Sequence, residues 1–124
     1  MDGERCRARV SLTGRVGEPV SAEAEGPASP AGRLRSVADA TLAALRQHTG
    51  EALRVELLGV KSIRAFDNSL IVASVIVHAD AKTERVIGSC IQAGENPRGA
   101  ALAVLDATNR LVGFTMRGLA KADA

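Results

Sequence analysis

Cys6, Ala8, Val10 and Leu12 alternate with Arg5, Arg7, Arg9 and Ser11, a period of two that predicts a strand with one apolar face. Gly14 to Gly17 reads as a turn. Val20, Ala22 and Ala24 then alternate with Ser21, Glu23 and Glu25 as the returning strand, which sets arginines across from glutamates on the outer face. Ser29 suits a helix cap and Pro30 the first helical position. Leu34, Val37, Ala38, Thr41, Leu42 and Leu45 follow at helical spacing. His48 falls in the last turn, where it favours the helix dipole, and Gly50 suits a left-handed stop. From Leu53 to Arg64 the alternation resumes, and its phase slips at Gly59, which predicts a bulge. Asp67-Asn68 reads as a turn, Leu70 to Val77 as a fourth strand, Ala79 to Thr83 as a turn and Glu84 to Gln92 as a fifth strand. Asn96 and Pro97 repeat the cap signal before a second stripe of Ala101, Val104, Leu105, Thr108 and Leu111, with Gly113 as its stop.

The two helical stripes are related. Shifting the sequence by 67 positions aligns Pro30 with Pro97, Gly32 with Gly99, Val37 with Val104, and Asp39-Ala40-Thr41 with Asp106-Ala107-Thr108. Upstream, Val10 meets Val77 and Val20 meets Ile87. The expected fold is therefore α+β: antiparallel sheet with two helices on one face, in the order β-β-α-β-β-β-α. One domain spans residues 1–124, with pseudo-symmetric halves at about 5–50 and 51–113 and a flexible tail over 114–124. Neither half buries its own apolar surface alone, whereas two packed together do. Asp39 and Asp106 occupy matched mid-helix places, so a structural role common to both halves is expected rather than acid–base chemistry.

Composition narrows the function. The chain has 124 residues, 46% of them hydrophobic, with a net charge of +2. Its 16 basic residues are balanced by 14 carboxylates, and its only aromatics are two phenylalanines, so no nucleic-acid surface is expected. No run is long enough to span a membrane, no signal-peptide pattern opens the chain, and a cytoplasmic protein is expected. Cys6 and Cys90 make no metal motif and read as small core residues in a reducing compartment. His48 and His78 sit in no catalytic motif, and no phosphate cradle or nucleophile elbow is present. The expectation is no catalytic residue, no metal and no cofactor.

The layout resembles the C-terminal regulatory, or dimerisation, domain of 2-isopropylmalate synthase over about residues 6 to 112. That family's first half carries an alternating small-residue strand ending Gly-x-Gly-x-Gly-Pro before a helix. The corresponding residues here are Ala22, Ala24, Gly26 and Pro27. Its second half has a strand glycine, an Asp-Ile pair and a helix closing on Ala-Leu-Asn-Arg, against Gly88, Glu95-Asn96 and Ala107-Thr108-Asn109-Arg110 here. The resemblance implies leucine-type sensing where the halves meet, near a dimer interface, with Ala24, Gly26, Pro27, Ala28, Gly94, Glu95 and Asn96 as the ligand residues. Two departures limit it. The catalytic barrel has no counterpart in these residues, so no synthase activity is implied. Two of the three motif glycines are alanines, which bears on leucine itself because glycine permits the closest backbone approach.

Leu70 to Val77 is apolar on both faces, with Leu70, Val72 and Ile76 on one and Ile71, Ala73, Val75 and Val77 on the other. Helices cover one face only. Burial of the other predicts a homodimer through Leu70, Val72 and Ile76, unless the second half of the same chain covers it. A stand-alone regulatory domain that binds a small amino acid or carboxylate is the expected function. The alternative is a ligand-free assembly domain.

Overall fold

The computed structural model describes residues 4–12, 19–49, 54–79, 82–92 and 97–111. Its elements are β1 (Arg5–Leu12), β2 (Val20–Pro27), α1 (Pro30–Thr49), β3 (Arg54–Ala65), β4 (Asn68–Ala79), β5 (Lys82–Gln92) and α2 (Arg98–Leu111). This is the expected α+β order. The strands form two antiparallel sheets, the hairpin β1-β2 and the meander β3-β4-β5. The turn at Gly14–Gly17, the stops at Gly50 and Gly113, the Asn96 cap and the 114–124 tail lie outside the described residues, as does the side chain of His48.

The alternation read in the sequence is the alternation of the hairpin. Arg5 pairs with Pro27 and Leu12 with Val20 without a break. Val10, Leu12, Val20 and Ala22 therefore face the core, and the charged positions face outward. On β3 the ladder shifts between Leu57, opposite Val75, and Gly59, opposite Ser74, so Leu58 is the extra residue of the bulge predicted at Gly59. The β3–β4 turn falls one residue earlier than expected. Phe66 (φ 52°) and Asp67 (φ 62°) form it, and Asn68 already pairs with Ala65. Two central residues with positive φ match the right-handed strand twist, and Asp at the second suits that region better than Phe at the first.

The helices are thin where they meet the strands. Ala38, Ala40, Ala44, Ala100, Ala103 and Ala107 are all fully buried. α1 lies against β1, β2 and β3, α2 against β4 and β5, and the two helices touch each other. At Gly88 of β5 an added Cβ would sit 2.2 Å from the Ala103 carbonyl oxygen and 2.3 Å from the Ala107 nitrogen. α2 thus rests on bare strand backbone. The last turn of α1 joins the two sheets: Arg46 donates to the Val55 carbonyl of β3 at 2.9 Å, and Gln47 to the Ser21 carbonyl of β2 at 2.8 Å. Ser29 caps α1, its hydroxyl accepting from the Gly32 N–H at 3.0 Å.

The repeat has a physical counterpart. Shifted by 67, β1 falls on the C-terminal part of β4, β2 overlaps β5, and α1 overlaps α2, leaving β3 unpartnered. Thr41 donates to the Val37 carbonyl at 2.8 Å, and Thr108 to the Val104 carbonyl at 3.0 Å. Both hydroxyls are buried and satisfied within their own helix. The aspartates differ. Asp39 pairs with Arg35 at 3.6 Å, whereas Asp106 accepts the Ser89 N–H of β5 at 3.0 Å. Neither cysteine is fully buried. Cys6 is half-buried, its thiol 3.4 Å from the Pro27 carbonyl, and Cys90 packs half-buried against the core.

Gly88→Ala is expected to destabilise the fold by about 3 kcal/mol, the upper end for overpacking. Gly59→Ala, with nothing within 4 Å of the new methyl, should stay within about 0.5 kcal/mol of the parent. Urea denaturation of both variants checks the contrast, and equal midpoints would remove the close approach of α2 from the account.

Candidate functional site

Of the seven residues expected to hold a ligand, four are described. Gly26 is buried, and an added Cβ would lie 2.7 Å from the Ser36 hydroxyl of α1. Ala24 and Ala28 are half-buried and Pro27 is exposed. The Ala28 N–H donates to the Glu4 carbonyl, which ties the β2–α1 junction to the start of β1. α1 packs closely on the strand at Gly26 and Gly32, and none of the four lines the cleft described below. Gly94, Glu95 and Asn96 lie outside the described residues.

The outer face of the three-stranded sheet is different. Ile71, Ala73, Val75 and Val77 of β4 are buried under the helices, and Leu70, Val72 and Ile76 point away from them, as the sequence predicted. Their register partners enlarge the set. Ile63 and Ile91 flank Leu70, Ile87 pairs with Ser74, and the bulge residue Leu58 lies alongside. Ile91 is 66% exposed and Ile87 56%, and Leu58 and Ile63 are also exposed. No described element covers this face. Phe66, 92% exposed, stands at the hairpin tip beside its most apolar end. The alternation of Ile87, Ser89 and Ile91 could have identified β5 as part of this surface from the sequence.

The opposite end of the same face is polar. His78 of β4 lies between Glu56 of β3 and Thr83 of β5, with Nε2 3.2 Å from the Glu56 Oε1 and Nδ1 3.2 Å from the Thr83 Oγ1. A hydroxyl, an imidazole and a carboxylate thus meet in one row, from positions too far apart for any sequence motif. The row lies on an exposed sheet surface and lines no described cleft. Catalysis by such a set needs a substrate pocket and an oxyanion donor beside the hydroxyl. The arrangement ties three strands together through side chains.

The arginines of β1 divide unequally. Arg7 holds Glu25 at 3.0 Å and Glu23 at 3.7 Å, and Arg5 lies 4.0 Å from Glu25. The hydrogen bond and charge of Glu25 hold the Arg7 guanidinium above its ordinary value. Arg9, opposite Glu23 in register, has no ion pair among the described residues. It lines a cleft of about 340 Å³ with Val10, Ser11 and Leu12 of β1, Val37 of α1, and Arg98 and Ala101 of α2. Cys90 is close enough to feel Arg98. Burial pushes its thiol up, Arg98 draws it down, and Asp106 adds to the rise.

Among the described residues no group of three or more His, Cys, Asp or Glu is arranged to hold a metal ion, and no helix is long and apolar enough to cross a membrane. Comparison with known families, curated proteins and solved structures finds no match to this chain.

His78→Ala and Thr83→Ala are each expected to cost less than about 1 kcal/mol, as exposed polar contacts do. Diisopropyl fluorophosphate should leave Thr83 unmodified in the intact mass. An adduct at Thr83 that disappears in His78→Ala would make the row a nucleophilic site instead.

Proposed function

We propose that this chain is a non-catalytic regulatory-type domain that acts as a homodimer, similar in role to the regulatory domain of 2-isopropylmalate synthase that its layout resembles. The observation behind this reading is the uncovered apolar face of β3-β4-β5. Three strands of 11 and 12 residues present a whole face on the order of 500–600 Å², polar end included, taking about 4.8 Å between strands and 3.3 Å per residue. That is the same order as the ~800 Å² each partner contributes to a stable interface.

A second copy fits this surface better than an unrelated partner. A two-fold axis doubles every apolar residue offered. Leu58, Ile63, Ile87 and Ile91 are already about half covered, so covering the rest contributes roughly half of the ~1.5–3 kcal/mol of a full burial, and eight such side chains from two copies are of the same order as the ~4–15 kcal/mol lost as translational and rotational freedom. Charge agrees with the symmetry. Glu56 and Lys61 flank the Leu58 bulge on β3, so an axis crossing the strands there sets Glu56 of each copy over Lys61 of the other. Sheets packed face to face in this way are a standard architecture.

Assembly is the primary activity on this reading, because the uncovered face is the feature that carries it. The free thiols of Cys6 and Cys90 fit a reducing cytoplasm, where we place the protein.

Light scattering at micromolar concentration is expected to give twice the chain mass. Val72→Asp and Ile91→Asp should yield folded monomers, because both side chains lie on the outer face. Ile71→Asp, on the buried face, should unfold the chain, at a cost above about 3 kcal/mol. A parent protein that runs as a monomer removes the proposal.

A further inference from the structure

The outer face of β3-β4-β5 is ordered in rows across the strands. Register sets Arg54, His78 and Thr83 in one row, then Glu56, Ile76 and Arg85, then Gly59, Ser74 and Ile87 at the middle. Lys61, Val72 and Ser89 follow, and Ile63, Leu70 and Ile91 close the aliphatic end beside the Phe66 tip. The face is therefore polar at one end and apolar at the other. It is also unequal from side to side. In the row of Ile76 the acid stands on β3 and the base on β5, both exposed, with an apolar residue between them. His78 Nε2, 3.2 Å from the Glu56 Oε1, keeps that carboxylate on the face.

A face that packs on its own copy lies across a two-fold axis in the plane of contact. Two such axes suit three strands. One crosses the strands at the middle row and turns each strand end for end. It matches Glu56 to Lys61, but it also lays Ile63, Leu70 and Ile91 on Arg54, His78 and Thr83 of the other copy. A guanidinium and an imidazole would then lose water to aliphatic side chains, which is costly. The second axis runs along β4 and exchanges β3 with β5, so every row meets its own copy. Ile63 lies over Ile91, Leu70 and Val72 over themselves, and the polar row over the polar row. The two Phe66 tips come to the same end. Glu56 of each copy lies over Arg85 of the other, once on each side of the axis. Lys61 lies over Ser89 at the rim, where its ammonium stays in water. Aligned sheets are rotated by about 30°. At about 3.3 Å per residue, a row two residues from the middle moves sideways by about 3 Å, within reach of a glutamate and an arginine.

We infer that the second copy docks across the axis along β4, with Glu56 and Arg85 as the residues that select this pairing. The inference rests on the homodimer proposed above and deepens it by assigning which residues meet. Aliphatic contact supplies area without register, because a slide of one such face on another keeps most of it. Two acid–base contacts at fixed places on opposite sides of the axis penalise both a slide and the end-for-end arrangement.

Charge exchange followed by sedimentation equilibrium tests this, with circular dichroism as the check on folding. Glu56, Lys61 and Arg85 are all exposed, so their variants should keep the parent spectrum. Glu56→Arg and Arg85→Glu are each expected to weaken self-association by about tenfold or more, because each creates two like-charge contacts. The two variants mixed should associate about tenfold more tightly than either alone, since both contacts between unlike copies are then opposite in sign. The double variant Glu56→Arg/Arg85→Glu should return to within about threefold of the parent, and Lys61→Glu should change the parent by less than about threefold. Arg85→Glu that dimerises like the parent overturns the inference, and so does a mixture no tighter than its components. Rescue of Glu56→Arg by Lys61→Glu in place of Arg85→Glu assigns the crossing axis and overturns it too. These outcomes leave a dimeric parent and its docking face standing. A parent that stays monomeric removes the face and the axis together.

Discussion

The closeness of α2 to β5 sets the rest of the architecture. At Gly88 the strand has no side chain, and the helix backbone at Ala103 and Ala107 fills the space. Contact at that distance requires small residues along the helix, and Ala100, Ala103 and Ala107 provide them. The layer between helix and sheet is correspondingly thin and needs no aromatic to fill it. A thin layer also buries little area per residue, so the helices alone stabilise the chain less than a thicker core would. The remaining apolar potential lies on the other side of the sheet, in Leu70, Val72, Ile76, Ile87 and Ile91. The packing at Gly88 and the exposed face are two consequences of one allocation of side-chain volume.

The two halves use their shared helix positions in part alike and in part differently. The pairs Val37–Thr41 and Val104–Thr108 make the same internal hydrogen bond, so this part of the repeat is structural. Helix position 36 in one half and 103 in the other each meet a strand glycine, Gly26 and Gly88, at different places along their strands. The matched aspartates diverge further. Asp39 neutralises a neighbour on its own helix, whereas Asp106 reaches the Ser89 N–H on the outer strand β5. An unpaired strand N–H invites edge-to-edge association. β2 and β5 are both edge strands of their sheets, and the aspartate reaches the strand N–H only in the second half.

Much of this was legible in the sequence because it depends on local pattern. Alternation gave the strands, the phase slip at Gly59 gave the bulge, and Ser29 with Pro30 gave the start of α1. The division of β4 into Ile71, Ala73, Val75 and Val77 against Leu70, Val72 and Ile76 followed from period two alone. The separation of the strands into two sheets was not legible. It is a matter of which strands pair, β2 with β1 alone and β3 with β4 alone, and no local pattern reports that. The row of Glu56, His78 and Thr83 was hidden for a similar reason, since cross-strand register brings together residues that no spacing rule connects. The charge pattern of β1 suggested a uniform paired face. The structure distinguishes Arg9 from Arg5 and Arg7 because one arginine engages both glutamates.

A seam and a face on one chain are mechanically connected. β1 and α1 form one wall of the cleft, the start of α2 forms the other, and α2 in turn rests directly on β4 and β5, whose far side is the exposed apolar surface. The contact at Gly88 has no flexible side chain to absorb a displacement, and close-packed interiors transmit small shifts rather than dissipate them. A displacement of α2 therefore bears on β4 and β5, the strands that carry Val72, Ile87 and Ile91 on their far side. The alanine-lined layer that brings the helix so close is also the layer that leaves the outer face uncovered.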